Sequence, residues 1–381
     1  MRQIARTQAR GRRKTPAGPF GARFVAHRHR CVLCQSRFVK GFSLNPVHRK
    51  APATLRQVAQ EANVSMATIS RYLNGHLKVT PETEGRILAA IKKLDYRANF
   101  LAKSLAQGQT KMLGVYTPRV TSPFYNQIRL GVEMEVGQSD YVCLSISGEY
   151  QHRQEEEVLR MVIERQVDGI FVFGSEIADE RLLELSGHLP MAVFGHRIEG
   201  PRACSICIDN TPAATAAVRY LIAEGHRDIA FIGPRNPRND LLERLEGYKI
   251  ALQDAGLPFR PELLVQGEFT EPGGGAAVEV LAARGVHYSA VFCTNDQMAY
   301  GANLELHRRG LKVPDDVSLI GFDDLYTSAY INPPLTTVLQ PAHDVGRELG
   351  RAMLKMLAGE TPELHTPDLR LIVRQSTRSL R

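Results

Sequence analysis

Thr54-Leu55-Arg56-Gln57-Val58-Ala59, followed by Val64-Ser65-Met66-Ala67-Thr68-Ile69-Ser70-Arg71-Tyr72-Leu73-Asn74-Gly75, is the stretch that decides the architecture. Thr54 and Gln57 stand at the spacing of a capping box, in which each side chain satisfies the other's backbone N–H. Leu55, Val58, Ala59 and Ala62 then recur at i, i+3, i+4 and i+7, one apolar face of a short helix. Asn63 follows, a residue that tolerates the left-handed backbone of a sharp turn. Ser65 caps a second helix from about Met66 to Asn74, ended by Gly75, with Ile69, Tyr72 and Leu73 inward and Met66, Ala67, Ser70, Arg71 and Asn74 outward. Thr80 and Pro81 open a third helix whose expected core stripe is Ile87, Leu88, Ile91 and Leu94. Three short helices, the first two joined by a tight turn, describe a helix-turn-helix head.

That geometry carries a chemistry. The second helix enters the DNA major groove, where Arg71 is suited to a guanine edge and Met66 and Ala67 to a thymine methyl. Thr54, Ser65, Thr68, Ser70 and Asn74 are short polar groups suited to phosphate oxygens.

Upstream, residues 1–53 hold 13 Lys and Arg and no Asp or Glu, and read as a basic, disordered extension. His27, His29, Cys31 and Cys34 lie close together there, but a closed zinc site needs a second ligand pair on a folded knuckle, so no metal is expected. Residues 54–111 carry 9 basic and 4 acidic side chains, and the rest 26 and 36, so the net charge of +8 belongs to the front of the chain. A basic front on an acidic body suggests a polyanion-binding head.

From Lys111 on, apolar runs at Met112–Tyr116, Tyr141–Ile146, Gly169–Phe173, Met191–Phe194, Asp228–Ile232, Ala290–Cys293 and Val317–Ile320 alternate with amphipathic stretches. The pattern predicts an α/β body with parallel sheets in two lobes. Gly273-Gly274-Gly275 lacks the Lys-Ser/Thr of a phosphate loop and reads as a loose loop before a helix. Cys204 and Cys207 fall in one expected strand (Cys204–Ile208), whose alternation sets the two sulfurs on opposite faces. No nucleophile or cofactor motif appears, so the reading is no enzyme and no cofactor. No run approaches 18 apolar residues and no Sec-type leader is visible, so a cytoplasmic, nucleoid-associated protein with reduced thiols is expected.

The quoted run resembles the DNA-binding signature of the lactose/galactose repressor family of bacterial transcriptional regulators. Leu94-Asp95-Tyr96-Arg97-Ala98-Asn99 and Leu101-Ala102-Lys103-Ser104-Leu105 resemble its hinge. Gly225–Gly233, Arg244–Tyr248, Asn295–Ala299, Val317–Asp324 and Asn332–Val338 resemble body motifs in family order. The resemblance spans about residues 54–381, with Asn63 in place of a common glycine and Ala98 in place of a common proline. It implies a small all-α helix-turn-helix head and an α/β body of two periplasmic-binding-protein-like lobes.

The implied division is 1–53 extension, 54–98 head, 99–110 hinge helix or linker, and 111–381 effector-binding and dimerisation body. The N-lobe would take about 111–210 and 341–367, and the C-lobe about 211–340 and 368–381. Met66, Ala67 and Arg71 would set operator choice. Leu105, with Ala102 one turn earlier, would wedge into a minor-groove step. Phe124, Arg244, Asn295 and Asp323 would face the interlobe cleft, a set suited to a polyol. The implied function is a sequence-specific repressor, acting as a homodimer on double-stranded operator DNA and controlled by a small molecule, a sugar in first place. The alternatives are a purine or other non-sugar effector, or a solute-binding protein without a DNA role. With the last strand-like run at Leu371–Val373, a dimer is expected rather than a tetramer.

Overall fold

The computed structural model describes residues 53–73, 77–96, 108–148, 152–235 and 239–381. The extension with its His27–Cys34 group, Asn74, and the hinge positions Ala102 and Leu105 lie outside the described residues. The chain divides into two compact units, one within residues 1–97 and one within 98–381.

The first unit holds α1 (Leu55–Glu61), α2 (Met66–Leu73) and α3 (Pro81–Leu94). The capping box is formed: Thr54 Oγ1 accepts the Gln57 N–H at 3.3 Å, and Gln57 Oε1 accepts the Thr54 N–H at 2.8 Å. Asn63 makes the turn at φ 52°. Ser65 Oγ accepts the Thr68 N–H at 3.0 Å, capping α2. The core is Val58, Ala59, Ala62, Ile69, Ile87 and Ala90. Two expected core positions are not buried: Leu73 is 37% exposed and Leu88 53%. Leu88 lies about 100° around α3 from Ile87, and in so small a head the seam is only wide enough for Ile87, Ala90 and Ile91.

The second unit carries two sheets. The first takes β1 (Met112–Thr117), β2 (Val142–Ser147), β3 (Gly169–Phe173), β4 (Met191–Phe194) and β5 (Ala203–Ile206), in the order β2-β1-β3-β4-β5, all parallel. Its helices are α4 (Pro123–Val136), α5 (His152–Glu164) and α6 (Asp179–Ser186). Then follow α7 (Thr211–Ala223), β6 (Ile229–Pro234), α8 (Asn239–Asp254), β7 (Leu264–Gly267), α9 (Glu271–Arg284), β8 (Ala290–Cys293), α10 (Asp296–Arg308), β9 (Ser318–Asp323) and β10 (Thr336–Leu339). After α11 (Ala342–Leu357) comes β11 (Arg370–Ile372). The second sheet runs β11-β10-β9-β8-β6-β7, parallel except for the antiparallel β10–β11 pair. Its first five strands in sequence repeat the order of the first sheet, so the body is two doubly wound lobes. β3, β4, β8 and β9 are buried along their whole length, as helix-covered parallel strands are. β7 and β10 carry only two apolar side chains each, beside Gln266 and Gly267 or Thr336 and Thr337, so no apolar run marks them in the sequence.

The chain passes between sheets three times: after β5, after β10 into α11, and after α11 into β11. The second passage returns α11 to the first lobe, where Val345, Leu349 and Met353 join the core of Leu113, Ile128 and Phe171. Helix α11 lies directly on α4, because a Cβ on Gly346 would stand 1.9 Å from the Ile128 carbonyl oxygen. The glycine triplet is likewise helical rather than a loop. It sits in the first turn of α9, capped by Thr270, and a Cβ on Gly274 would stand 1.9 Å from the Met298 carbonyl oxygen on α10. Gly274 is there for helix–helix contact, whereas Gly273 makes room for the Glu268 backbone, 1.9 Å from where its Cβ would stand. Strand β5 ends at Ile206, so Cys204 is buried in the lobe core while Cys207 stands just past the strand. Among the described residues no helix is long and apolar enough to cross a membrane.

Candidate functional site

Two sites merit description, one in each unit. On α2, Met66, Ala67 and Arg71 are exposed, as are Thr54 and Ser65 beside it, while Thr68 and Ser70 are half-buried. Ile69 fixes this face by burying the other side, and the Tyr72 hydroxyl donates to Glu84 Oε1 at 2.7 Å, tying α2 to α3. Among the described residues Arg71 has no hydrogen-bond or ion-pair partner, so its guanidinium is available to an external acceptor. Met66, 52% exposed, is an apolar side chain held in water on the first turn of the same helix.

Between the lobes of the body lies a cavity of about 690 Å³. It opens at the carboxyl ends of β3, β4 and β5, where doubly wound sheets bind ligands. The first lobe contributes Phe124 from the start of α4, Ser175–Glu180 after β3, and Phe194–Arg197 after β4. The second contributes Asp240 and Glu243 from α8, and the passages between lobes contribute Cys207, Asn210 and Gln340. Phe124 and Phe194 form one wall, ring centroids 5.8 Å apart. The loop after β3 is held from behind by fully buried Glu155, whose Oε2 accepts from Ser175 Oγ at 3.2 Å and the Glu176 N–H at 2.9 Å. Both nitrogens of His196 are engaged, Nδ1 with Asp179 Oδ1 at 2.6 Å and Nε2 with the Ser175 carbonyl at 2.9 Å.

Of the four positions singled out from sequence, Phe124 lines the cavity directly. Arg244 and Asp323 lie immediately behind Asn210 and Gln340, 3% and 6% exposed. Arg244 Nε donates to Asn210 Oδ1 at 3.1 Å and Nη1 to the Thr294 carbonyl. Its guanidinium lies 3.8 Å from the centre of the Phe322 ring and 3.7 Å from Asp323 Oδ1. Gln340 Nε2 donates to the same Asp323 oxygen at 2.7 Å. Asn295 is apart from this group: it caps α10, its Oδ1 accepting the Met298 N–H at 2.8 Å, and it does not line the cavity. Asn210 and Gln340, the amides on two of the passages, had no sequence signal beyond standing at strand-to-helix junctions.

Asp323 and Asp324 both have positive φ, 116° and 52°. Neither is glycine, so each conformation costs on the order of 1–3 kcal/mol and must be held by its surroundings. Gln340 and Arg244 hold Asp323, and an ion pair to Arg374 at 2.7 Å holds Asp324. Burial pushes Asp323 up to about 7, against the pull of Arg244 and Gln340. Asp296, the residue after Asn295, is fully buried and pushed up to about 8, first by burial and then by the charge of Asp323. Donors from Ser328, Thr337 and the Leu325 N–H oppose the shift.

Between the ordinary carboxylate range and pH 8 the folded body retains protons that the unfolded chain has lost. Stability is therefore full below about pH 4 as far as these two groups are concerned, and falls as pH rises towards 8. The unfolding midpoint should drop by roughly 5 °C or more from pH 5 to pH 8.5. Asp296→Asn keeps an acceptor for Leu325 and should flatten the slope, so an unchanged slope contradicts the assignment to Asp296.

Among the described residues, no group of three or more His, Cys, Asp or Glu side chains could hold a metal ion. The profile of bacterial regulatory proteins of the lacI family matches residues 54–99, and that of the periplasmic binding protein-like domain matches residues 218–377. Catabolite control protein A of Priestia megaterium is 35% identical over 329 residues, 85% of this chain and 99% of that protein. The HTH-type transcriptional repressor CytR of Escherichia coli strain K12 is 33% identical over 338 residues, 87% of this chain and 98% of that protein. Among solved structures, a complex of the transcriptional regulator CelR with cellobiose aligns with TM-score 0.63 at 30% identity, over 85% of this chain and 99% of that one.

Proposed function

The chain belongs to the lacI family of bacterial regulatory proteins, and within that family we propose a cytoplasmic homodimeric repressor whose interlobe cavity takes a sugar-like ligand. The head reads operator DNA through α2, with Arg71 on a guanine edge, Met66 and Ala67 on apolar base edges, and Thr54, Ser65, Thr68 and Ser70 on phosphates. The same reading extends to Asn74 on a phosphate and to Ala102 and Leu105 in the minor groove. Two-fold symmetry of the dimer matches two half-sites of a near-palindrome.

One observation carries the ligand half of the reading. Arg244 and Asp323, both buried, are bonded to Asn210 and Gln340, which line the cavity and stand on two of the three passages between lobes. A hydroxylated ligand competing for those two amides acts directly on the segments about which the lobes turn. Phe124 and Phe194 supply the apolar face that covers a sugar ring. Asn295 enters this reading as the cap that fixes the start of α10, behind Arg244's partner Thr294. The cellobiose bound to CelR favours a sugar over a purine as the ligand class. No turnover of the ligand is expected.

The test is linkage. A sugar that raises the unfolding midpoint of the full chain should change its affinity for an operator duplex by roughly 5- to 150-fold, the usual range of coupling between two sites. A stabilising sugar that leaves duplex affinity unchanged contradicts the proposal.

A further inference from the structure

Two of the three passages between lobes reach Asp323, the first through Asn210 and Arg244 and the second through Gln340. The third runs from α11 into β11, and two positions beyond that strand stands Arg374. Its Nη2 pairs with Asp324 Oδ1 at 2.7 Å, and its Nη1 donates to the Leu335 carbonyl at 2.8 Å. The backbone that carries it is bonded to the start of β10. The Arg374 N–H donates to Thr336 Oγ1 at 2.9 Å, and the Gln375 N–H to the Pro334 carbonyl at 3.0 Å.

Arg374 does not line the cavity, so it can act on a ligand there only through its partner. That partner is one of two successive non-glycine residues at positive φ, Asp323 at 116° and Asp324 at 52°. Such a bend persists only while its surroundings hold it. On its far side Leu325 is fixed, its N–H donating to Asp296 Oδ2 at 2.8 Å. If Asp324 relaxes towards the negative φ that L-residues favour, the movement is therefore taken up by Asp323. The carboxylate that accepts from Gln340 and faces Arg244 is then displaced.

On the reading that the cavity is the effector site, we propose that Arg374 is a positioning residue for effector binding. Its ion pair with Asp324 holds the bend after β9 in the shape that presents Asp323 to Gln340 and Arg244. All three passages then converge on one two-residue bend.

Calorimetric titration of the full chain with cellobiose, glucose, galactose and ribose tests this, with thermal unfolding run beside it on every variant. Arg374→Gln should weaken binding of a sugar that the wild type takes by at least about tenfold. Arg374→Lys keeps the charge but not the two-pronged fork, and should fall between the two. The deciding variant adds Asp324→Gly to Arg374→Gln. Glycine takes positive φ without steric cost and leaves no unpaired carboxylate, so affinity should return to within about threefold of the wild type. The Lys and double variants carry the comparison if Arg374→Gln does not fold. An Arg374 that only braces the fold would lower the unfolding midpoint and leave the sugar's Kd unchanged, which overturns the inference. A double variant that binds no better than Arg374→Gln, or tenfold more weakly than the wild type, overturns it too. In both cases sugar binding by the wild type leaves the effector reading of the cavity standing. If none of the four sugars binds the wild type, the sugar reading and the inference fall together.

Discussion

Replacing Arg71 by Ala is expected to weaken binding to a selected operator duplex by about 1–3 kcal/mol, or roughly 5- to 150-fold, and to relax specificity at one base position in each half-site. Arg71 stands on the outer face of α2 with no partner among the described residues, so no internal bond is lost and the fold should be unaffected. Its fork matches the paired acceptors of guanine, which no other exposed side chain of α2 can do. Loss of affinity should therefore be confined to duplexes carrying the recognised guanine. Binding to random DNA should change far less, because that affinity comes from phosphate contacts and depends on salt. A uniform loss across all duplexes would assign Arg71 to the backbone instead. Competition anisotropy with the selected and single-base-changed duplexes distinguishes the two.

Asp323→Ala is expected to abolish the ligand response while leaving ligand-free duplex affinity within about twofold of wild type, since the partners Asp323 loses, Gln340 and Arg244, both belong to the body. In the wild type a ligand at a hundred times its Kd stabilises the fold by about 2.7 kcal/mol, and that increment should vanish. Asp323 is the acceptor for Gln340 and the counter-charge of Arg244, at the point where β9 bends into two successive left-handed residues. Without it, both the amide on the passage and the guanidinium lose the partner that a ligand would displace. Asp323→Asn, which retains the acceptor for Gln340, guards against simple misfolding. It should fold like the wild type and keep a reduced response. Equal ligand response in wild type and both variants contradicts the role of Asp323.

What was legible in the sequence was local. The capping box at Thr54 and Gln57, the turn at Asn63 and the cap at Ser65 rest on bonds spanning three or four residues, and all three are present. The alternation of apolar runs foretold two parallel sheets because a strand covered on both faces needs unbroken hydrophobicity. Facing was harder to read. Leu73 and Leu88 have apolar side chains at plausible spacing, yet the seam between three short helices is narrower than the pattern. The glycine triplet looked like a loop because glycine disfavours helices. Only tertiary neighbours give the missing side chains a purpose: the backbone of α10 at Gly274 and that of Glu268 at Gly273. The cavity was the least legible part. Asn210 and Gln340 owe their place to passages that join residues far apart in sequence, and the carboxylates around the cavity are assembled from the loop after β3, the start of α6 and the start of α8. Asn295 shows the converse: it stands in a family motif, yet it caps a helix and does not touch the cavity.

The most direct test of the central claim is selection of duplexes from a random pool by the full chain at moderate ionic strength. The account predicts enrichment of a near-palindromic sequence with a guanine in each half-site, bound at least about a thousandfold more tightly than random competitor. Recovery of unenriched DNA, with affinity that tracks only salt, contradicts it.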